Sequence, residues 1–214
     1  AFDYLLQERT CDAAKLAIRE CARLLSSAQK PVISVNGNTV ALAGPQLLAC
    51  AAVLDCPIEV NIYYRTPERM DALLSELNEQ KIEASRMYPD LKTKIESINI
   101  LGDDPDARIP HLEGPRANCH QEGIYTSDVI LVPLEDGDRC EALVSMGKAV
   151  CVIDLNPLSR TAKMATVTIV DELTRCVPLL FKELLKTFSG NGFSEETTSN
   201  WDNDRNLKKV IADI

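Results

Sequence analysis

Side chains that could bind a nucleotide are concentrated in one segment of this 214-residue chain, VIDLNPLSRTA. An apolar run ends there at Asp154, and Asn156, Arg160 and Thr161 follow within seven residues. An acid at the end of a strand commonly binds a ribose hydroxyl in nucleotide-binding folds. An amide both donates and accepts hydrogen bonds, and a guanidinium fork suits phosphate oxygens. The combination favours a nucleotide site over the simpler alternative, a proline-stiffened loop in which Ser159 caps a helix.

A long polar loop, GDDPDARIPHLEGPR (residues 102–116), offers a second set of reactive groups. Paired carboxylates such as Asp104 and Asp106 can hold Mg²⁺ beside substrate phosphates. Arg116 can bind phosphate or carboxylate through two parallel hydrogen bonds. His111 is a candidate general base, although a lone histidine is more often a surface or structural residue. A loop of this length in a compact domain is usually functional or disordered.

Two shorter turns carry further candidates. In LEDGDR (134–139), the acids suit metal or amine binding, or simply the first turn of a helix, where negative charge is favourable. In NGNT (36–39), Gly37 lies between two asparagines just before an apolar stretch. This pattern is typical of a helix N-cap, and the same backbone N–H groups could bind an anion. We assign no function to His120.

Alternating strands and helices must position these turns. The chain predicts an α/β fold in which a mostly parallel sheet is covered by helices on both faces. Because the turns follow the predicted strands, we expect them to meet at the carboxyl edge of the sheet, where ligands of such sheets bind. The predicted strands are PVISV (31–35), PIEVNI (57–62), SINIL (97–101), DVILVP (128–133), AVCVID (149–154) and ATVTIV (165–170). The predicted helices are residues 11–28, 44–54, 67–81, 138–147 and 172–187.

The chain divides into two parts by composition. Residues 1–187 form the predicted binding and catalytic domain, in which 82–96 reads as a charged insertion. Residues 188–214 consist of a linker and a last helix at about 203–213, which would pack on the domain or on a dimer partner.

Composition excludes several classes of protein. The formal charge of −9 argues against nucleic acid and anionic membranes as partners. No apolar run suggests a membrane span, and neither a G-x-G-x-x-G nor a G-x-x-x-x-G-K-[ST] motif occurs. The eight cysteines form no C-x-x-C pair, and several lie in apolar segments, where cysteine acts as a small hydrophobic residue. We expect a cytoplasmic protein without a disulfide framework.

The chain resembles the archaeal phosphopantothenate synthetases, the 4-phosphopantoate–β-alanine ligases of coenzyme A biosynthesis. The resemblance covers nearly the whole chain and is carried by PVISVNGNT, IEVNIYYRT, DPDARIPHLEGPR, GIYTSDVILVPLEDGDR and VIDLNPLSRTAKMATVTIVDE. It implies a homodimeric, Rossmann-like enzyme without a glycine fingerprint. The reaction it implies joins 4-phosphopantoate to β-alanine through an acyl adenylate, splitting ATP into AMP and diphosphate with Mg²⁺.

The resemblance also implies site residues. Those matched to the ATP contacts of the family are Asp154, Leu155, Asn156, Arg160, Thr161, Glu172 and Leu173. Phosphopantoate is assigned to Asn36, Gly37, Asn38, Asn61, Arg65 and Arg139, and the chemistry to His111, Arg116 and Asp136. The Mg²⁺ candidates are Asp104, Asp106 and Asp138.

This chain departs from the family pattern in three places. Family members often have Asn where this chain has Glu172, so a side-chain contact there is in doubt. The insertion 82–96 is longer than expected, and we expect the family's N-terminal segment with ATP-binding arginines to be missing. Two rival functions remain on the same fold, because a fold does not fix a function: a non-catalytic nucleotide sensor and a nicotinamide-dependent oxidoreductase.

Overall fold

The computed structural model of the protein describes residues 2–188 and 200–214. Its centre is a parallel sheet of six strands, flanked by helices, and each of the six predicted strands is present. The predicted fold class is therefore confirmed. The strands are β1 (Pro31–Val35), β2 (Ile58–Val60), β3 (Ile100–Leu101), β4 (Ala107–Arg108), β5 (Asn118–Cys119), β6 (Val129–Pro133), β7 (Ala149–Ile153) and β8 (Val167–Ile169). Strands β4 and β5 form a separate antiparallel pair; β4 lies in the predicted loop 102–116 and β5 directly after it.

The strand order of the main sheet creates a crevice at one edge. The order is β3-β2-β1-β6-β7-β8, and β1 pairs in parallel with both β2 and β6. From β1 the chain first proceeds toward one side of the sheet and then, from β6, toward the other. The loops that follow β1 and β6 consequently diverge, and such a reversal point is where open parallel sheets bind their ligands.

Alternate residues of the central strands face two separate hydrophobic cores. Ile33 and Leu131 belong to the larger core, whereas Val32 and Ile130 belong to the smaller one. This alternation follows from the two-residue period of a strand. The helices are α1 (Phe2–Leu5), α2 (Asp12–Ser27), α3 (Gly37–Leu54), α4 (Pro67–Met87), α5 (Lys92–Ser97), α6 (Gly137–Ser145), α7 (Arg160–Met164), α8 (Leu173–Phe188) and α9 (Asn203–Ala212). Helices α2, α3 and α8 contribute to the larger core, and α6 with residues 109–124 contributes to the smaller one.

Helix α3 begins seven residues before its predicted start at residue 44. The helix runs from Gly37 to Leu54 through a kink at Ala43, where φ is −148° and ψ is 20°. Pro45 has no N–H to donate to the preceding turn. At the kink, the Nε2 of Gln80, on α4, donates to the carbonyl of Val40 at 3.1 Å, the carbonyl that the N–H of Gly44 would bond in an unbroken helix. A tertiary contact thus compensates for a break that the local sequence predicts.

The prediction of a charged insertion at 82–96 is wrong for residues 82–87. Residues up to Met87 continue α4, which Thr66 caps through a hydrogen bond from the N–H of Arg69. A short 3-10 helix at Pro89–Leu91 and then α5 complete the connection to β3. Continuous helical hydrogen bonding explains why a charged sequence is ordered here.

The expectation that no segment could span a membrane also needs correction. By length and composition alone, helix α3 is long and apolar enough to cross a membrane, but 67% of it is buried inside the fold. Burial of this kind is what a core helix requires. All eight cysteines are buried and unbridged, in keeping with their interpretation as small hydrophobic residues.

The C-terminal helix packs on the domain through polar contacts. The Nδ2 of Asn206 donates to the carbonyl of Ala13 at 3.1 Å, and the indole N–H of Trp201 donates to the carbonyl of Thr166 at 2.9 Å. Helix α9 is confirmed within one residue of its predicted end. Most of the predicted linker, residues 189–199, lies outside the described residues.

Candidate functional site

A buried ion-pair network lies at the crevice, where β6 ends. The carboxylate of Glu135 accepts a hydrogen bond from Nη2 of Arg116 at 3.1 Å, and Nη1 of the same guanidinium lies 2.9 Å from Oε1. Arg139, on the first turn of α6, donates to the same carboxylate and to the hydroxyl of Ser34 at 3.0 Å. Glu135 and Arg139 have no exposed side-chain surface. The network therefore joins β1, the loop after β6 and the 102–116 loop.

Asn61 anchors this network to β2. Its Nδ2 donates to the carbonyls of Arg116 and Asn118 at 3.2 and 3.0 Å, and its Oδ1 accepts from the Nε of Arg116 at 3.2 Å. The sequence predicts substrate contacts for Asn61 and Arg139, yet both are fully buried in this structure. In this structure they hold Arg116 and Glu135, and substrate contacts for them stay a prediction.

Burial and charge shift the pKa values of this network in opposite directions. Burial raises the pKa of Glu135 above its ordinary value, despite the two neighbouring guanidinium groups. Burial also raises the pKa of Asp136, but the N–H of Arg139 and the charge of Arg116 outweigh it, so the pKa of Asp136 falls. Burial lowers the pKa of Arg116. Asp136, about half exposed, is thus the carboxylate of the network whose pKa is lowered and that reaches the crevice.

The turn after β1 forms the opposite wall of the crevice. Asn36 caps α3 by accepting from the N–H groups of Asn38 and Thr39 at 3.0 and 3.1 Å. Its Nδ2 donates across the crevice to the carbonyl of Leu134 at 3.2 Å. A Cβ added at Gly37 would meet only Leu73 Cδ2, at 3.9 Å. The fold therefore does not need glycine at this position, which leaves close approach of a ligand to the helix start as a reason for it.

Arg160 lies on the outer side of α6, next to a cleft of about 820 Å³. Its guanidinium forms ion pairs with Asp138 and Glu141, which raise the pKa of Arg160. A Cβ at Gly137 would lie 2.9 Å from the Arg160 side chain, so glycine lets its stem pass over the helix start. His111, with a φ of 60°, lines the same cleft. The structure thus brings His111, Asp138 and Arg160 together, apart from the buried network.

The turn after β7 is ordered by its own side chains. Asp154 accepts from the N–H of Asn156 at 2.8 Å, and Asn156 Oδ1 accepts from the N–H of Leu158 at 2.9 Å. Leu155 lies between them, half-buried. Thr161 is buried, and its hydroxyl donates to the carbonyl of Glu135 at 3.0 Å. This turn is therefore tied to the β6 loop, as a shared site requires.

Glu172 and Leu173 follow β8 at the start of α8. Glu172 Oε2 accepts from the N–H groups of Thr174 and Arg175 at 2.8 and 3.1 Å. Burial alone would raise the pKa of Glu172. The hydrogen bonds from the hydroxyl and N–H of Thr174 outweigh this effect, so the pKa is lowered. Leu173 is buried in the core. The Glu172 side chain serves here as a helix cap.

The acids predicted to bind Mg²⁺ are not gathered into one cluster. Across residues 2–188 and 200–214, no group of three His, Cys, Asp or Glu side chains is arranged to hold a metal ion. Asp106 accepts from the N–H of Gln121 at 2.7 Å, Asp138 pairs with Arg160, and Asp104 has a φ of 47°. Protein sites for Mg²⁺ commonly use one or two carboxylates together with substrate phosphates. These three residues therefore stay a prediction.

Two members of the network are absent from the predicted site. Ser34 was hidden because it lies within the apolar run of β1 and is only 1% exposed. Glu135 is one of several acids in LEDGDR, and nothing in their order distinguishes the buried one. The position of Ser34, a polar residue inside an otherwise apolar strand, is the sequence feature that could have indicated a buried polar contact.

Comparison with known proteins assigns the family. A model described as phosphopantothenate/pantothenate synthetase matches residues 13–214. The chain belongs to this family. The resemblance drawn from the sequence is thereby confirmed.

Three archaeal relatives of this phosphopantothenate synthetase family member carry the name 4-phosphopantoate–β-alanine ligase. The Thermococcus kodakarensis protein is 42% identical over 216 residues, covering 100% of this chain and 77% of its own. The Thermococcus onnurineus protein is 41% identical over 216 residues, with the same two coverages. The Methanosarcina mazei protein is 42% identical over 217 residues, covering 100% of this chain and 79% of its own.

Proposed function

We propose that this protein is an ATP-dependent 4-phosphopantoate–β-alanine ligase. The pantoate carboxylate attacks the α-phosphate of ATP, which gives an acyl adenylate and diphosphate. The amine of β-alanine then attacks the acyl carbon and AMP leaves. Membership of the phosphopantothenate synthetase family and the shared name of its relatives support this reaction.

One observation in the fold carries the proposal. The turns that follow β1, β6 and β7 converge on one crevice, where Asn36 bonds to the β6 loop and Thr161 bonds to the same loop. Two substrates bound to neighbouring turns would be held in line for reaction. Positioning of this kind supplies a large part of the catalysis of a two-substrate reaction. Catalysis by positioning also suits this reaction, because the two substrates react with each other and no protein nucleophile is needed.

Charge is the second requirement of the reaction, because a carboxylate must approach a polyphosphate. Arginines that neutralise the developing charge lower this barrier. Arg160, 57% exposed beside its cleft, is the candidate for the ATP phosphates. Arg65, Asn38 and the start of α3 are the candidates for phosphopantoate, since a helix N-terminus attracts anions. Arg116, mostly buried, holds Asp136 at the crevice.

The attacking amine of β-alanine must first lose a proton. His111 lines the cleft that contains Arg160 and is exposed, which makes it our candidate for the base. A neutral imidazole can accept this proton. Asp136 is the alternative, because its half-exposed carboxylate reaches the crevice.

Mg²⁺ would accompany the ATP phosphates and offset their charge. Asp104, Asp106 and Asp138 are the candidate carboxylates, all on loops or helix starts at the carboxyl edge of the sheet. We further propose that the enzyme is a cytoplasmic homodimer. The exposed Tyr63 and Tyr64 beside the crevice are consistent with a subunit contact.

The test is an assay of AMP release with ATP, Mg²⁺ and 4-phosphopantoate, in the presence and absence of β-alanine. We expect sustained AMP release only when all substrates are present, together with one phosphopantothenate per AMP. ADP in place of AMP would overturn the adenylate route. Binding of ATP without any turnover would favour the nucleotide sensor, and binding of NADH would favour the oxidoreductase.

A further inference from the structure

Gly102, which follows β3, is fixed against its neighbours in a conformation that side chains rarely adopt. Its φ is +150°, and an added Cβ would lie 3.0 Å from both Met70 Cε and Val60 Cβ. The backbone therefore passes directly over β2 and α4. Glycine is required here because any side chain would collide and strain the backbone.

Two hydrogen bonds hold this glycine, one on each side of its Cα. Its N–H donates to the Nε2 of His120 at 3.1 Å. Its carbonyl accepts from the guanidinium of Arg65. His120 and Arg65 are thus connected through a single, rigid residue.

His120 is itself held firmly. Its backbone N–H donates to Glu59 Oε1 at 3.0 Å, and the N–H of Ile124 donates to Glu59 Oε2 at 2.7 Å. The carboxylate of Asp106 lies 4.0 Å from the Nδ1 of His120. Since Nε2 accepts a hydrogen bond, the ring proton belongs on Nδ1, facing that carboxylate. The imidazole therefore has a defined position, with its Nδ1 on the side of the Asp106 carboxylate.

The hydrogen bond to Gly102 fixes the orientation of the Arg65 guanidinium. It is half-buried, and burial lowers its pKa. The bond to the Gly102 carbonyl fixes one edge of the guanidinium fork and leaves other N–H groups for an anion. A fork whose direction is already set loses less freedom when it binds.

We propose that His120 is a positioning residue for Arg65, acting through Gly102 to aim the guanidinium at the anionic groups of 4-phosphopantoate. The choice of this ligand rests on the proposed function. The link itself is a property of the fold, which can be measured with no substrate present.

Two substitutions separate the hydrogen bond from simple packing. His120→Gln places an amide oxygen where Nε2 lies and keeps an acceptor for Gly102. His120→Leu removes the acceptor and leaves the N–H of Gly102 buried without a partner. Hydrogen exchange of the Gly102 amide should be faster in H120L than in H120Q and in the unmodified protein.

Steady-state kinetics then tests the role. We expect H120L to raise the KM for 4-phosphopantoate about tenfold, the effect of losing roughly one buried hydrogen bond. The KM for ATP should stay within about twofold, and H120Q should restore the KM for 4-phosphopantoate. In an Arg65→Ala background, H120L should have little further effect, because coupled residues are not additive.

Several results would overturn the inference. Unchanged Gly102 exchange in H120L would remove the link, and equal increases in both KM values would show a general structural role. Additive effects of H120L and R65A would show that His120 does not act through Arg65. The ligase proposal fails separately, if the unmodified protein releases no AMP. In that case calorimetric titration with 4-phosphopantoate replaces kinetics, and equal affinity of H120L and the unmodified protein would overturn the inference.

Discussion

Arg116 and Glu135 form an ion pair through both terminal guanidinium nitrogens. Nη2 donates a hydrogen bond to Oε2 at 3.1 Å, and Nη1 lies 2.9 Å from Oε1. The two residues are 19 positions apart in the chain, and their ion pair joins the 102–116 loop to the turn after β6. Because Arg139 shares the same carboxylate, one buried negative charge holds two cations. The crevice therefore depends on Glu135 for its shape.

Replacing Glu135 should destabilise the fold more than replacing its neighbour. Glu135→Gln leaves two buried guanidinium groups with reduced counter-charge, and we expect a loss of about 3 kcal/mol in the free energy of unfolding. Asp136→Asn, at a half-exposed position, should cost about 1 kcal/mol. Urea unfolding at pH 7 measures both. Equal losses would show that the Glu135 charge is not what holds the network.

Arg160 should affect ATP rather than stability. If it binds phosphate, Arg160→Ala should raise the KM for ATP by about 10- to 100-fold, since charge-assisted hydrogen bonds contribute about 1.5–3 kcal/mol. The KM for 4-phosphopantoate should change little. Lys163→Ala, an exposed position on the same helix α7, is the matched control. An unchanged KM for ATP in R160A would remove Arg160 from the nucleotide site.

Two glycines of α3 should respond in opposite ways to alanine. A Cβ at Gly44 would lie 1.7 Å from Gln80 Oε1, so Gly44→Ala should lower the free energy of unfolding by about 1–3 kcal/mol. Gly37→Ala has room for its methyl group and should leave stability unchanged, but raise a substrate KM if a ligand approaches that backbone. Thermal unfolding and the AMP assay distinguish the two. A stable G44A protein would contradict the kink geometry.

Asp128 should make the free energy of unfolding depend on pH. It accepts from the N–H groups of Gln29 and Lys30 at 2.7 and 2.8 Å and so fixes the start of β1 beside β6. Burial, the largest single influence, raises its pKa, but the backbone hydrogen bonds together outweigh burial and lower the pKa below 3.8. The stabilisation is therefore complete above pH 3.8 and is lost as the pH falls through the lower, folded value.

The corresponding measurement compares Asp128→Ala with the unmodified protein. At pH 7 the variant should be less stable by about 1 kcal/mol, a modest value because the side chain is exposed. The difference should shrink as the pH falls below 3.8 and through the lowered pKa of Asp128 in the folded protein. Asp71→Ala, exposed on α4, is the control. A difference that stays constant with pH would mean that ionisation of Asp128 contributes nothing.

The sequence by itself determined the architecture. Six apolar runs separated by amphipathic stretches predicted the parallel sheet, because strands covered on both faces must be apolar throughout. The turns at residues 36–39, 134–139 and 154–161 were found for the same reason, since abrupt polarity marks where each strand ends. The order of long motifs also identified the family.

Only the tertiary structure decided which polar residues are buried and which are exposed at the crevice. Asn61 and Arg139 resemble binding residues in sequence, yet they are enclosed by groups 55 and 105 positions away. The continuation of α3 past Pro45 depends on Gln80, and the role inferred for His120 depends on Gly102. Local sequence does not specify such partners, because burial and hydrogen bonding are properties of segments that meet only after folding.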